Sequence, residues 1–308
     1  MKTMKKAAFT LAAVTLSMLL ATACTTGETT DTNTAAAKST AAVLDTASAD
    51  GKGFYAPVNG QRLYYEIHGA GRPLVLIHGG LSTGEANFAA LLPELAKTRK
   101  VVAVDLQGHG HTPDIDRPLR YEGLADDIAA LITHLGLGKA DVLGYSLGGG
   151  VALQLAARTP DLVNKMIVAS ATYRSDGWVP ETRAGMAAMD PDAMFGSPIH
   201  DVYARTAPNP GDWRALVTKT RRLLTENYDW TAQMATVSTP ALFLTAENDA
   251  LYREHIRDLT ALLGSKTPSG SRSRLEVVPG TTHYDITYRA DLLLPLITPF
   301  LDSPATAK

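Results

Sequence analysis

The stretch at 141–150, DVLGYSLGGG, constrains this chain more than any other. Gly144, Ser146 and Gly148 form a G-x-S-x-G pentapeptide, with the apolar pair Val142-Leu143 before it and Val151, Leu153, Leu155 and Ala156 in a helical pattern after it. A serine placed between strand and helix sits on a sharp, strained turn, so the residues two before and two after must be small enough for the chain to fold back. The turn lifts the hydroxyl above the sheet. It also aims the first N–H groups of the new helix, starting with that of Leu147, at the space where an oxyanion would form.

Wholly apolar runs of the kind that suits a strand covered on both faces recur at 74–77, 101–104, 142–143, 166–169, 241–244 and 275–278. A further strand is predicted at 62–67 after the hairpin-type turn Asn59-Gly60. Helical patterns fall between and after them, at 87–97, 121–135, 147–157 and 289–301. Such alternation predicts an α/β fold: a mostly parallel central sheet with helices on both faces and a ligand site at the carboxyl ends of the strands. No repeat of fixed period is present. The rhythm breaks at 172–236, which holds all three tryptophans and a helical pattern at 212–227. We expect a helical cap there, set between two core segments at 54–171 and 237–303. Most of its tryptophans are expected to pack, with Leu81, Trp178 and Met186 as the candidates for contact with an apolar ligand.

The N-terminus has a different texture. Lys2, Lys5 and Lys6 precede an apolar run at 7–20, then the small residues Ala21-Thr22-Ala23 and Cys24, the single cysteine of the chain. This pattern predicts a signal peptide at 1–23, and the approach to Cys24 resembles a bacterial lipobox, with Ala21 where leucine is usual. Residues 24–53 are poor in large apolar side chains and are expected to be a flexible tether. The expectation is therefore an exported protein, either a cell-envelope lipoprotein joined to the membrane through a lipid on Cys24 or a secreted one. With one cysteine, packing alone must hold the domain together. A formal net charge of -2 and the absence of long charge runs leave no basic face for nucleic acid.

A base for Ser146 has to reach the carboxyl edge of the sheet. Of the eight histidines, His283 meets this condition best, since it follows the last strand in the loop PGTTH. Asp249 follows the preceding strand in the same manner and could orient the imidazole, with Glu247 and Asp176 as competitors. His78-Gly79-Gly80-Leu81 follows the strand at 74–77 and could supply a second oxyanion donor, the N–H of Gly80 or that of Leu81. Asp105 and His109 in DLQGHG are read as turn-stabilising residues.

Taken together, HGG at 78, DLQGHG at 105, GYSLGG at 144, END at 247 and PGTTH at 279 resemble the α/β-hydrolase fold family over roughly residues 54–301. The resemblance implies Ser146 as nucleophile, His283 as general base and acid, Asp249 as its partner, and the N–H groups of Gly80 and Leu147 as the oxyanion hole. Ala246 stands where many relatives have glycine.

A serine activated by histidine attacks an electrophilic carbonyl and forms an acyl-enzyme that water opens. The leading expectation is hydrolysis of small to medium apolar carboxylic esters, with no cofactor and no metal. Carbon–carbon hydrolases, acyltransferases and cofactor-free perhydrolases share the serine; family members that open epoxides or remove halide carry aspartate there. A proline iminopeptidase fits less well, because Leu81 and Leu147 replace the usual proline and tryptophan. From another class, the alternative is a non-catalytic, lipid-anchored binding module.

Overall fold

The computed structural model describes residues 46–47, 52–264 and 273–304. The expected signal peptide, Cys24 and most of the expected tether lie outside the described residues. Residues 46–47 belong to the sheet rather than to a tether: β1 (Thr46–Ala47) pairs antiparallel with β2 (Phe54–Val58), an edge contact that needs backbone groups only. β2 turns through Asn59 and Gly60, both at positive φ, into β3 (Gln61–His68).

β4 (Arg72–Ile77), β5 (Arg99–Val104), β6 (Ala140–Tyr145), β7 (Val163–Ala169), β8 (Ala241–Asn248) and β9 (Arg274–Thr282) complete the sheet. Its order is β1-β2-β3-β5-β4-β6-β7-β8-β9, antiparallel as far as the β3–β5 pair and parallel from β5 to β9. Because β4 lies between β5 and β6, the chain reverses its direction of travel across the sheet there. The carboxyl ends of β4 and β6 thus flank a topological switch point, where open α/β sheets leave a crevice.

The continuous apolar runs split residue by residue between the two faces of the sheet. Val75, Ile77, Val102, Val142, Met166, Val168 and Phe243 pack on one face with α3 (Tyr121–His134), α4 (Leu147–Arg158) and α9 (Arg253–Gly264). Their neighbours Leu74, Leu76, Val101, Leu143, Ile167, Leu242 and Leu244 pack on the other, against α1 (Gly84–Phe88), α2 (Leu92–Leu95) and α10 (Ala290–Asp302). Each fully buried aliphatic side chain contributes about 1.5–3 kcal/mol, so two covered faces give the sheet its rigidity. The single helix predicted at 87–97 is instead the pair α1 and α2. Pro93 lies in the first turn of α2, where its missing N–H is tolerated, and it could not have continued a helix from α1.

Between β7 and β8 the chain forms α5 (Pro180–Ala187), α6 (Pro198–Thr206), α7 (Trp213–Thr225) and α8 (Thr231–Met234). Tyr203, Trp213, Leu216 and Val217 make a small core within this insertion. Trp178 and Trp230 pack with the large core on the α3–α4 side, so the insertion is rooted in the main domain at both ends.

Candidate active site

Ser146 joins β6 to α4 with φ 53° and ψ −117°, a conformation that costs a residue with a side chain about 1–3 kcal/mol. The turn is over-determined by its surroundings. Ser146 N–H donates to the Ala169 carbonyl at 2.9 Å, and the Ser146 carbonyl accepts from Gly149 N–H at 2.9 Å and Gly150 N–H at 3.2 Å. A Cβ on Gly144 would overlap the Gly148 carbonyl, and one on Gly148 would overlap the carbonyl of Ile77. The two glycines of the pentapeptide are there because β6, α4 and the end of β4 touch backbone to backbone.

His283 follows β9 directly, and its Nε2 lies 3.1 Å from Ser146 Oγ. Its Nδ1 lies 2.9 Å from Oδ1 of Asp249, which follows β8. Asp249 is buried yet well satisfied: Oδ1 also accepts from Ala250 N–H at 2.8 Å, and Oδ2 accepts from Ser170 Oγ at 2.6 Å, Thr245 Oγ1 at 3.0 Å and Ala246 N–H at 2.9 Å. Burial pushes its pKa upward, but His283 and these donors together outweigh burial and hold the carboxyl below its usual range. The two competing acids lie elsewhere. Glu247 accepts from Gly280 N–H at the surface, and Asp176 pairs with Arg174.

Leu147 and Gly148 open α4, so their N–H groups have no carbonyl one helical turn back to occupy them. Across the crevice, Gly79 N–H is taken by Asn87 Oδ1 at 2.8 Å. That leaves Gly80 and Leu81 as the free candidates on the β4 side, Leu81 at φ 54°. The loop is braced from behind by His78, which donates from Nδ1 to the Gly79 carbonyl at 2.6 Å and accepts at Nε2 from Leu106 N–H at 3.0 Å. Burial lowers the His78 pKa, in keeping with that neutral, accepting role. Asp105 likewise serves the turns, accepting from Gly84 N–H and from His111 N–H and Nδ1. Among the described residues no group of three or more His, Cys, Asp or Glu is disposed to hold a metal ion.

This fold has known counterparts. A family model described as the alpha/beta hydrolase fold matches residues 72–207. E-2-(acetamidomethylene)succinate hydrolase superimposes with a TM-score of 0.66 over 82% of this chain and 99% of its own, at 24% sequence identity. The chain has the alpha/beta hydrolase fold. Among relatives by sequence, 2-hydroxymuconate semialdehyde hydrolase of Pseudomonas sp. (strain CF600) is 38% identical over 103 residues, 32% of this chain and 36% of that protein. A putative carbamate hydrolase of Caulobacter vibrioides is 38% identical over 119 residues, 37% of this chain and 44% of its own. The matched stretches thus span less than half of these curated relatives.

Two side chains that touch the Ser146–His283–Asp249 line carry no mark in the sequence. Ser170, the residue after β7 and at φ 51°, donates to Asp249. Tyr145 donates its hydroxyl to the His283 backbone carbonyl at 2.5 Å and so ties the strand before the nucleophile to the loop of the base. Both lie at a carboxyl strand end, Ser170 beside β8 and Tyr145 on β6, which β7 and β8 separate from β9, and only that strand-end position could have flagged them. Of the three residues expected to contact ligand, Trp178 lies edge-on to the His283 ring with centroids 5.5 Å apart. Leu81 is half-buried against the small core of the insertion, and Met186 is half-buried against the main core.

Proposed function

We propose that the protein is a serine hydrolase that cleaves small to medium apolar carboxylic esters through an acyl-enzyme. The observation that carries this reading is the unbroken hydrogen-bonded line from Ser146 Oγ through His283 to Asp249. His283 Nε2 takes the serine proton as Oγ attacks the ester carbonyl, and the oxyanion rests on the N–H groups of Leu147 and of Gly80. Asp249 keeps the imidazole oriented and stabilises its cationic form. The carbon–oxygen bond to the alcohol then breaks as His283 returns the proton to the leaving oxygen. In the second half His283 takes a proton from water, hydroxide opens the acyl-enzyme, and the acid departs as Ser146 regains its proton. Nothing in these steps calls for a cofactor. Ser146 is also the reason epoxide opening is not carried over from family members with aspartate at that place.

A second reading, cleavage of a carbon–carbon bond next to a carbonyl, uses the same three side chains, and the 38% identity to 2-hydroxymuconate semialdehyde hydrolase favours it. The N-terminal pattern ending at Cys24 supports export with a lipid anchor, which incorporation of labelled palmitate, lost in Cys24→Ser, would test.

The decisive measurement is turnover of p-nitrophenyl esters from acetate to octanoate by the full chain, beside labelling by a fluorophosphonate. The expected result is turnover that falls by about 10⁴-fold or more in Ser146→Ala, together with labelling that this variant abolishes. Labelling without ester turnover would transfer the protein to the second reading. A folded chain that does neither would make it a binding module.

A further inference from the structure

One polar side chain on the inner face of α7 lacks a partner. Thr220 is wholly buried, and its Oγ1 has no hydrogen-bond partner among the described residues. A helical threonine commonly settles its hydroxyl on the carbonyl four residues back. Thr206 does so on the Val202 carbonyl at 3.0 Å and Thr225 on the Arg221 carbonyl at 2.8 Å, whereas Thr220 does not.

Thr220 also stands over the oxyanion loop. A Cβ on Gly80 would lie 3.3 Å from Thr220 Cγ2 and 3.6 Å from Leu147 Cδ1, so Thr220 and Leu147 approach the same glycine. The helix is held at that height by Lys219, whose Nζ donates to Asp114 Oδ2 at 2.6 Å and to the Ile115 carbonyl at 2.7 Å. Asp114 is in turn fixed by Gln107, and Gln107 by Arg117. A carbonyl held by the N–H groups of Gly80 and Leu147 would rest on the glycine that Thr220 approaches. A buried hydroxyl left unpaired costs stability, and here the missing partner can arrive with the substrate.

We propose that Thr220 is a substrate-binding residue whose hydroxyl hydrogen-bonds an oxygen carried by the acyl group close to the scissile carbonyl. The preferred acids are then oxygenated next to the carbonyl rather than plain alkanoic acids. The inference rests on the ester-hydrolase reading and names the acyl class it takes.

Phenyl methoxyacetate and phenyl butanoate test it, since they differ by one ether oxygen in place of a methylene. The ratio of their kcat/KM values is compared between the wild type and variants, which cancels the intrinsic reactivity of the two esters. The expected result is that Thr220→Val lowers this ratio roughly three- to tenfold, the worth of one hydrogen bond, while Thr220→Ser keeps it. Thr220→Val should also leave the Tm of the free protein level or higher, because a group without a partner is replaced by one that needs none. A ratio that does not move would overturn the proposal. So would a Tm that falls along with an equal loss on both esters, the mark of a hydroxyl bonded within the fold or to a fixed water. Turnover of neither ester by the wild type would defeat the ester reading itself and the acyl contact with it. An intact ester activity with an unmoved ratio would defeat only the role of Thr220.

Discussion

Ser170 shows how a single hydroxyl outside the triad bears on its chemistry. Its Oγ is one of four non-histidine donors on Asp249, and a hydrogen bond to a charged group contributes about 1.5–3 kcal/mol. Asp249 has a folded-state pKa depressed below its unfolded value. It therefore contributes stability that is present above the unfolded pKa and lost as pH falls through the folded one. Ser170→Ala should bring the two values closer. At neutral pH the variant is expected to be less stable than wild type by about 1–2 kcal/mol, and the difference should shrink towards the pH at which the wild-type carboxyl protonates. Urea midpoints at pH 7 and pH 3 would measure this, and equal differences at both would show that Ser170 acts by packing instead. Tyr145 is a second such case, tying His283 through its backbone carbonyl with a hydroxyl that burial and nearby Asp249 make hard to ionise.

At the scale of elements, the candidate catalytic groups come from three strand ends, and the helix α7 lies against the loop of Gly80. α7 is amphipathic, and Trp213, Leu216, Val217, Thr220 and Leu223 form its buried side. Its attachment to the core loop runs through Lys219 to Asp114, both half-buried, so removing one partner costs more than breaking an exposed ion pair. Lys219→Met should leave Asp114 and the Ile115 carbonyl short of a donor and loosen the helix above Gly80. The expected outcome is a rise in KM for esters of about tenfold with a smaller change in kcat, largely restored in Lys219→Arg. A uniform fall in kcat with KM unchanged would mean that α7 does not set the acyl pocket.

Across the whole molecule, the amino-terminal edge of the parallel strands is built for stability rather than chemistry. Lys165 on β7 is buried, and its ammonium donates to the carbonyls of Phe300 at 2.7 Å and Leu301 at 2.9 Å and also contacts the Ser303 carbonyl. It thereby caps the carbonyl end of α10, where a positive charge is favoured. Burial lowers its pKa, with Asp141 and Asp302 opposing. Arg99 alongside bonds Asp141 at 3.3 Å and also pairs with Asp302. Lys165→Met should cost about 3 kcal/mol, since it leaves the carbonyls of Phe300, Leu301 and Ser303 without their donor, while Asp141 keeps Arg99. The kcat of the folded fraction on the proposed ester substrates should stay within about twofold, because Lys165 and Ser146 lie at opposite ends of the parallel strands. Thermal melts with parallel rate measurements would separate the two effects.

Much of this fold was legible because local pattern and global packing agree. The apolar runs at 74–77, 101–104 and 166–169 lie within β4, β5 and β7, since a strand covered on both faces needs no polar alternation. α10 was legible although it carries Pro295 and Pro299, because burial of Leu293, Ile297, Phe300 and Leu301 outweighs the lost backbone bonds. The nucleophile elbow was readable from two glycines and a serine, whose spacing serves a contact between backbones. Sequence alone therefore determined the sheet, the elbow and the strand ends from which Ser146, Asp249 and His283 rise. Only the tertiary structure decided that Ser170 and Tyr145 bond the triad, that α1 and α2 are separate, and that Thr220 lies unpartnered over Gly80. Those relations join residues far apart along the chain, and no local propensity records which hydroxyl will meet which partner once the strands are laid side by side.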